Sequence, residues 1–233
     1  MTARVAALYR YAVKSMDGTE LSRVEVGPAG IPGDRGWALR ETATGRPASA
    51  KRFPSLMLCK SRYLDEPTAG LPPPPAEVVL PDGNTTTTDD PKANALLSRL
   101  LGADVVFSRA DDGSGHFDDR PLHLLTTAAL ATMRAKSGLD FDVRRFRPNV
   151  LIELDETGRP EDSWVGKTLT IGEISVRVVK PVKRCVMTTL PQPSLAAERG
   201  VLAEVLTGGG ALGVYGEALN AGSWSTGTTI DLD

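Results

Sequence analysis

The sequence predicts a mainly β, α+β protein of barrel-like architecture, and three observations carry that expectation. Short runs rich in Val, Ile, Leu and Tyr recur along the chain, Gly, Pro and Asp-Gly pairs punctuate them, and few segments have a helical pattern. The runs at 4–11, 37–40, 56–63, 105–109, 150–154, 174–180 and 214–220 read as strands. Three segments read as helices. The first spans 92–101, with Asp90 as N-cap, Pro91 at the first helical position and Gly102 as the stop. The second spans 128–136, capped by Thr126 or Thr127 and closed by Gly138, and the third spans 194–206, ended by Gly208-Gly209-Gly210. Sparse helices among many strands argue against a doubly wound parallel sheet, and no GxGxxG, P-loop or nucleophile elbow contradicts that.

A chain of 233 residues holds one domain or two intimately packed ones. The proline cluster at 68–75 reads as a loop, and the polar, glycine-rich 110–119 places a boundary between regions 1–110 and 111–233. A formal charge of -2 gives no electrostatic reason to expect nucleic acid or an acidic membrane. The N-terminus lacks the apolar run of a signal peptide, and no stretch approaches the roughly 18 apolar residues of a membrane span, so a cytoplasmic location is expected. Two cysteines and two histidines are too few for a disulfide framework or a usual zinc cage. A bound metal therefore brings most of its ligands with a cofactor.

Cys185 follows Lys183 and Arg184 directly. These cations, if they approach the sulfur, stabilise the thiolate that binds metals or attacks electrophiles; the alternative is a small, inert, buried hydrophobe. Cys59, in the apolar Ser55-Leu-Met-Leu-Cys59, reads as core. Basic residues recur beside turn formers at Lys14-Ser15, Gly33-Asp34-Arg35, Lys51-Arg52 and Arg145-Phe-Arg-Pro-Asn149. Each alone reads as a solvated charge, whereas convergence builds an anion pocket, because Arg offers a planar fork for phosphate and Lys a point charge. His123 reads as a hydrogen-bonded, partly buried histidine, and Asp118-Asp119 as solvated loop charges. No carboxylate dyad or Ser-His-Asp pattern is evident.

Tyr11-Ala-Val-Lys-Ser15, Gly33-Asp-Arg35, Arg52-Phe-Pro54, Phe146-Arg-Pro-Asn149 and Arg184-Cys-Val-Met-Thr-Thr189 occur in the order seen in MOSC proteins with an N-terminal MOSC β-barrel region, and the chain resembles that family over nearly its whole length. The resemblance implies a MOSC β-barrel packed intimately on the N-terminal barrel region. It also implies molybdenum cofactor (molybdopterin), a phosphorylated pterin whose dithiolene holds the metal, bound between the two. The chain is similar to the amidoxime- and hydroxylamine-reducing molybdoenzymes, whose metal takes one protein cysteine, here Cys185. From those relatives, cofactor contacts carry over to Lys14, Ser15, Arg35, Arg147 and Asn149, and to Thr126 as the position of a small hydroxyl residue. A soft thiolate suits a soft, redox-active metal.

Two departures bear on function. Leu190-Pro-Gln-Pro-Ser194 replaces the relatives' usual sequence after Thr188-Thr189, which alters the loop over the metal, and no cysteine-rich iron-sulfur domain is appended. The expectation is an oxidoreductase acting on small N-hydroxylated molecules with electrons from a separate iron-sulfur or flavin protein. The alternatives are a cofactor or sulfur carrier using a Cys185 persulfide, and a binding module without the cofactor.

Overall fold

The computed structural model describes residues 3–111 and 115–232, so part of the 110–119 boundary stretch lies outside the described residues. Fifteen strands and three α-helices follow one another: β1 (Ala3–Arg10), β2 (Thr19–Leu21), β3 (Arg23–Val26), β4 (Trp37–Glu41), β5 (Lys60–Tyr63), β6 (Ala76–Val79), β7 (Thr85–Thr87), α1 (Ala93–Leu101), β8 (Val105–Arg109), β9 (Leu122–Thr126), α2 (Thr127–Ser137), β10 (Val150–Glu153), β11 (Thr168–Ile171), β12 (Ile174–Lys183), α3 (Arg199–Thr207), β13 (Ala211–Ala218), β14 (Gly222–Ser225) and β15 (Thr229–Leu232).

Seven strands close a barrel in the order β10-β9-β13-β12-β11-β15-β1, because β1 pairs with β10 on one side and β15 on the other; β2 extends β1 outward. Closure removes the open sheet edges that would otherwise invite association. The barrel interior is filled by alternating inward residues such as Leu8, Leu124, Ile152, Ile171, Val178 and Val214, all fully buried. β12 is long enough to need two irregularities, between Val178 and Lys180 and between Pro181 and Lys183. Pro181 lacks the N–H a regular ladder requires, and the resulting bulge re-aims the strand end that carries Arg184 and Cys185.

The antiparallel pair β4-β8 and the sheet β5-β6-β7 enclose a second core around Val13, Leu39, Leu56, Met57, Cys59 and Leu97. A third core lies under α2 and α3, where the Phe141 and Phe146 rings stack with centroids 5.7 Å apart. The regions 1–110 and 111–233 are interlocked in space, since β1 belongs to the barrel that β9 to β15 otherwise build.

Two elements differ from expectation, and so does the start of α1, whose N-cap is Lys92 with Asp90 and Pro91 before it. Within the predicted strand 56–63, Pro54–Leu58 forms a 3-10 helix and the strand begins at Lys60. Pro54 presets a helical turn, and Leu56 and Met57 both enter the core instead of alternating. The third helix begins at Arg199, not 194, because Gln192 and Leu195 close a tight turn through reciprocal backbone hydrogen bonds of 2.9 Å and Ser194 adopts a left-handed φ of 62°. The Thr126 cap is as read, its hydroxyl accepting from Ala129 N at 3.0 Å, whereas Asp90 accepts from Lys92 N one turn before α1 begins at Ala93.

Candidate functional site

The segment Phe146-Arg147-Pro148 forms the spine of the site. Its three successive carbonyls accept hydrogen bonds from surrounding side chains: Phe146 O from Arg184 Nη2 at 2.7 Å, Arg147 O from Arg35 Nη2 at 3.4 Å, and Pro148 O from Tyr11 Oη at 3.0 Å. His123 Nδ1 lies 3.3 Å from the same Arg147 carbonyl and donates to it in the tautomer protonated there. Asn149 closes the set by accepting from His123 N at 3.1 Å and donating to Tyr9 O at 3.3 Å. Arg147 is thereby fixed at φ 55°, Arg35 has φ 51° and Ser15 φ 68°. Left-handed backbone at non-glycine residues is costly and gathers where function demands it.

This arrangement directs basic groups into one narrow cavity of about 80 Å³. Arg35, Arg145, Arg147, Lys183, Arg184 and Cys185 line it, with Phe117, Asp118, His123, Met187 and Tyr215 completing its wall. Arg147 is 7% exposed, and its Nη1 and Nη2 are buried with no hydrogen-bond partner among the described residues; Arg184 Nε is in the same condition. Such donors cost free energy unless something accepts from them. Burial lowers the affinity of Arg147 for its proton and pulls Arg184 down to about 10, with nearby Tyr215 and Cys185 acting in the opposite sense on Arg184. Both remain cations at neutral pH. Burial and the positive charge of Arg184 push His123 well below its usual value, so it is neutral.

Cys185 is half-buried in extended conformation, where β12 gives way to the 3-10 turn Val186–Thr189. Its carbonyl accepts from Thr188 N at 3.1 Å and Thr188 Oγ1 at 3.0 Å, which orients the turn. The following loop is strapped to the segment 143–145. Arg145 donates to Thr188 O and Ala196 O, Arg144 to Pro193 O, and Gln192 Nε2 to Arg144 O. The altered sequence 190–194 is thus strapped to the segment 143–145 and contributes no residue to the cavity lining.

Of the residues singled out from sequence, Arg35, Arg147, Asn149 and Cys185 come together around the cavity. Lys14 stands beside it, donating to His116 O at 2.7 Å and pairing with Asp118 at 2.8 Å. Burial alone raises Asp118, but Lys14, Arg35 and Arg147 outweigh it and hold the carboxyl below its usual range. Asp118 keeps a solvent-exposed side chain, as its sequence context suggests, yet it stands in the cavity wall and adds to the site's electrostatics. Ser15 is buried away from the cavity, its Oγ accepting from Ala50 N at 3.2 Å. Thr126 is also outside the lining, capping α2 and donating to Glu161 at 2.6 Å.

Tyr11 is a site residue that sequence reading missed, whereas Arg145 stood in the basic stretch 145–149 and Arg184 among the cations expected near Cys185. Tyr11 and Arg184 stood in recognisable motifs and Arg145 beside one, but sequence does not reveal which side chains face inward. The residues present suit a phosphate-bearing ligand with a soft metal. Unpartnered guanidinium donors await an anion, and a thiol opens onto the same space.

Comparison with known families gives matches to the MOSC N-terminal beta barrel domain over residues 2–98 and to the MOSC domain over residues 103–231. The chain belongs to the MOSC family. The MOSC domain takes its name from the C-terminal domain of molybdenum cofactor sulfurase. Among solved structures, this MOSC protein is similar to the YUAD protein from Bacillus subtilis, with 17% identity and a TM-score of 0.51 over 99% of this chain and 94% of that one. YiiM from Geobacillus stearothermophilus is 16% identical with a TM-score of 0.37, over 50% of this chain and 55% of that one. No curated protein gave a significant match. Among the described residues, no helix is long and apolar enough to cross a membrane.

Proposed function

We propose that this MOSC protein binds molybdenum cofactor with Cys185 as the metal's thiolate ligand, and that it reduces small N-hydroxylated molecules with electrons from a separate redox protein. The observation that carries the proposal is the shared cavity of Cys185 and the unpartnered Nη atoms of Arg147. When bound, the cofactor supplies a two-electron redox centre that takes up an oxygen atom. The chain supplies the rest. Arg147 and Arg35 hold the phosphate, with Arg184 adding a third cation and Lys14 a fourth once it is released from Asp118. Asn149 and His123 keep the Arg147 backbone in place. Met187 and Phe117 restrict water, and neutral His123, committed to a backbone carbonyl, leaves protons to come from solvent. The overall change is R–NHOH + 2 H⁺ + 2 e⁻ → R–NH₂ + H₂O.

The cavity is smaller than the roughly 300 Å³ at the lower end of small-molecule sites, so loading displaces the Phe117-Asp118 wall that Lys14 ties down. The test is expression in a host that makes the cofactor, followed by molybdenum quantification, pterin fluorescence, and N-hydroxylamine reduction with a viologen donor. Cys185→Ala is expected to lose metal. Arg147→Ala is expected to lower cofactor retention by about 10- to 150-fold, the equivalent of a charge-assisted hydrogen bond of about 1.5 to 3 kcal/mol. Full metal retention by Cys185→Ala defeats the ligand assignment. Stoichiometric metal without reduction favours a carrier of cofactor or sulfur, and absence of metal and pterin favours a binding module.

A further inference from the structure

We propose that Tyr11 is the positioning residue of the anion pocket, its ring holding the Arg147 and Arg35 guanidinium groups where they receive a phosphate; this rests on reading the cavity as an anion site. The Cζ atoms of Arg147 and Arg35 lie 4.1 Å and 4.8 Å from the Tyr11 ring centroid. A desolvated cation is attracted to the negative face of an aromatic ring at such distances. Arg35 has a second anchor in Asp34. Arg147 has none for its Nη atoms among the described residues, and Asp17 and Asp34 act on it only through space. The Tyr11 ring is therefore the close electrostatic partner that Arg147 has before an anion arrives.

Tyr11 is itself fixed on every side. Its N–H donates to Asp34 Oδ1 at 2.9 Å, its carbonyl accepts from Arg35 N at 2.5 Å, and its hydroxyl donates to Pro148 O beside Arg147. The backbone of Gly18 also lies against the ring, so close that a Cβ there would stand 2.5 Å from Tyr11 Cδ1. Burial raises the phenol's proton affinity, so the ring stays neutral and attracts through its π face, not as a phenolate. One ring thus ties two guanidinium groups from distant parts of the chain to one orientation.

The experiment is titration of the purified full-length protein with inorganic phosphate at fixed ionic strength, followed by calorimetry, for wild type, Tyr11→Phe, Tyr11→Leu, Arg147→Ala and the Tyr11→Leu/Arg147→Ala pair. Tyr11→Phe keeps the ring and is expected to bind within about 2-fold of wild type while losing some stability, since only the buried hydroxyl contact goes. Tyr11→Leu is expected to weaken binding by about 5- to 30-fold, the range of a desolvated cation–π contact. In the Arg147→Ala background the same change should cost less than it does in wild type, the remaining loss being the share of Arg35, which keeps Asp34 as a second anchor. A purely structural role predicts equal losses in both backgrounds and no rescue by Phe, and either result overturns the proposal, as does unimpaired binding by Tyr11→Leu. Should Tyr11→Leu not fold, Gly18→Ala displaces the ring without removing it and is expected to weaken binding; unchanged affinity there also overturns it. Failure of the wild type to bind phosphate overturns the anion-site reading itself, which separates the two outcomes.

Discussion

Arg147 should be a residue the cofactor-free protein is better off without. It is buried, its two Nη atoms lack hydrogen-bond partners among the described residues, and its backbone is left-handed. A buried donor without an acceptor costs about 1 to 3 kcal/mol, and more when charged. Cation–π attraction to Tyr11 returns about 2 kcal/mol, which offsets only part of that cost. Arg147→Met removes the charge, keeps an unbranched side chain to fill the space, and leaves φ unchanged. The expected gain is roughly 1 to 3 kcal/mol, in line with replacing buried charges by well-packed apolar groups. For a chain of this length that raises Tm by about 2 to 4 °C per kcal/mol. Urea unfolding of cofactor-free wild type and variant measures it, with phosphate titration run in parallel. Higher stability together with weaker phosphate binding is the expected pair of results. A variant less stable than wild type by more than about 1 kcal/mol at an unchanged m-value would refute the reasoning, because Arg147 would then be a satisfied structural residue.

Thr126→Ala should destabilise without affecting phosphate binding. It removes an α2 cap worth about 1 kcal/mol and strips the hydroxyl donor from Glu161, whose other oxygen has no partner among the described residues and whose carboxyl burial already pushes up in pKa. The combined cost is roughly 2 to 4 kcal/mol, and a loss of phosphate affinity in the folded variant would make Thr126 a site residue after all. Stability should also fall as pH drops below about 6.5, the ordinary histidine value. His123 is held well below that value by burial and Arg184, so the unfolded chain takes up a proton that the fold refuses. The slope is at most about 1.4 kcal/mol per pH unit while the folded imidazole stays neutral. Urea unfolding of His123→Gln across that range should lack the slope. Its persistence would assign the effect elsewhere, and Asp118 and Asp142, both held below the usual 3.8, contribute only near and below that pH.

The barrel was legible because alternation survives along strands such as 174–180, where inward and outward positions differ in polarity. The 3-10 turn at Pro54–Leu58 was not, because Leu56 and Met57 are apolar in sequence whether they alternate or turn. The site divides in the same way. Arg35, Arg147, Asn149 and Cys185 meet at one cavity, as an order of short motifs implied. Ser15 and Thr126 carry hydroxyls that local backbone groups have taken, and nothing in a sequence distinguishes a hydroxyl that caps from one that faces a ligand. Tyr11 matters through Pro148, more than a hundred residues away in chain order, and Arg184 through Phe146 O on another element. Those proximities are properties of the closed barrel.

The way β1 closes that barrel also constrains how the molecule is made. Its register partners include Leu151 and Val150 on one flank and Thr229 and Ile230 on the other, so β1 pairs with segments more than a hundred residues later in the chain. Pairings this remote carry a large loop-closure entropy and slow the folding reaction. Of the neighbours of β1, β2 alone is local, so the barrel closes only after β10 and β15 have both come to it across the length of the fold.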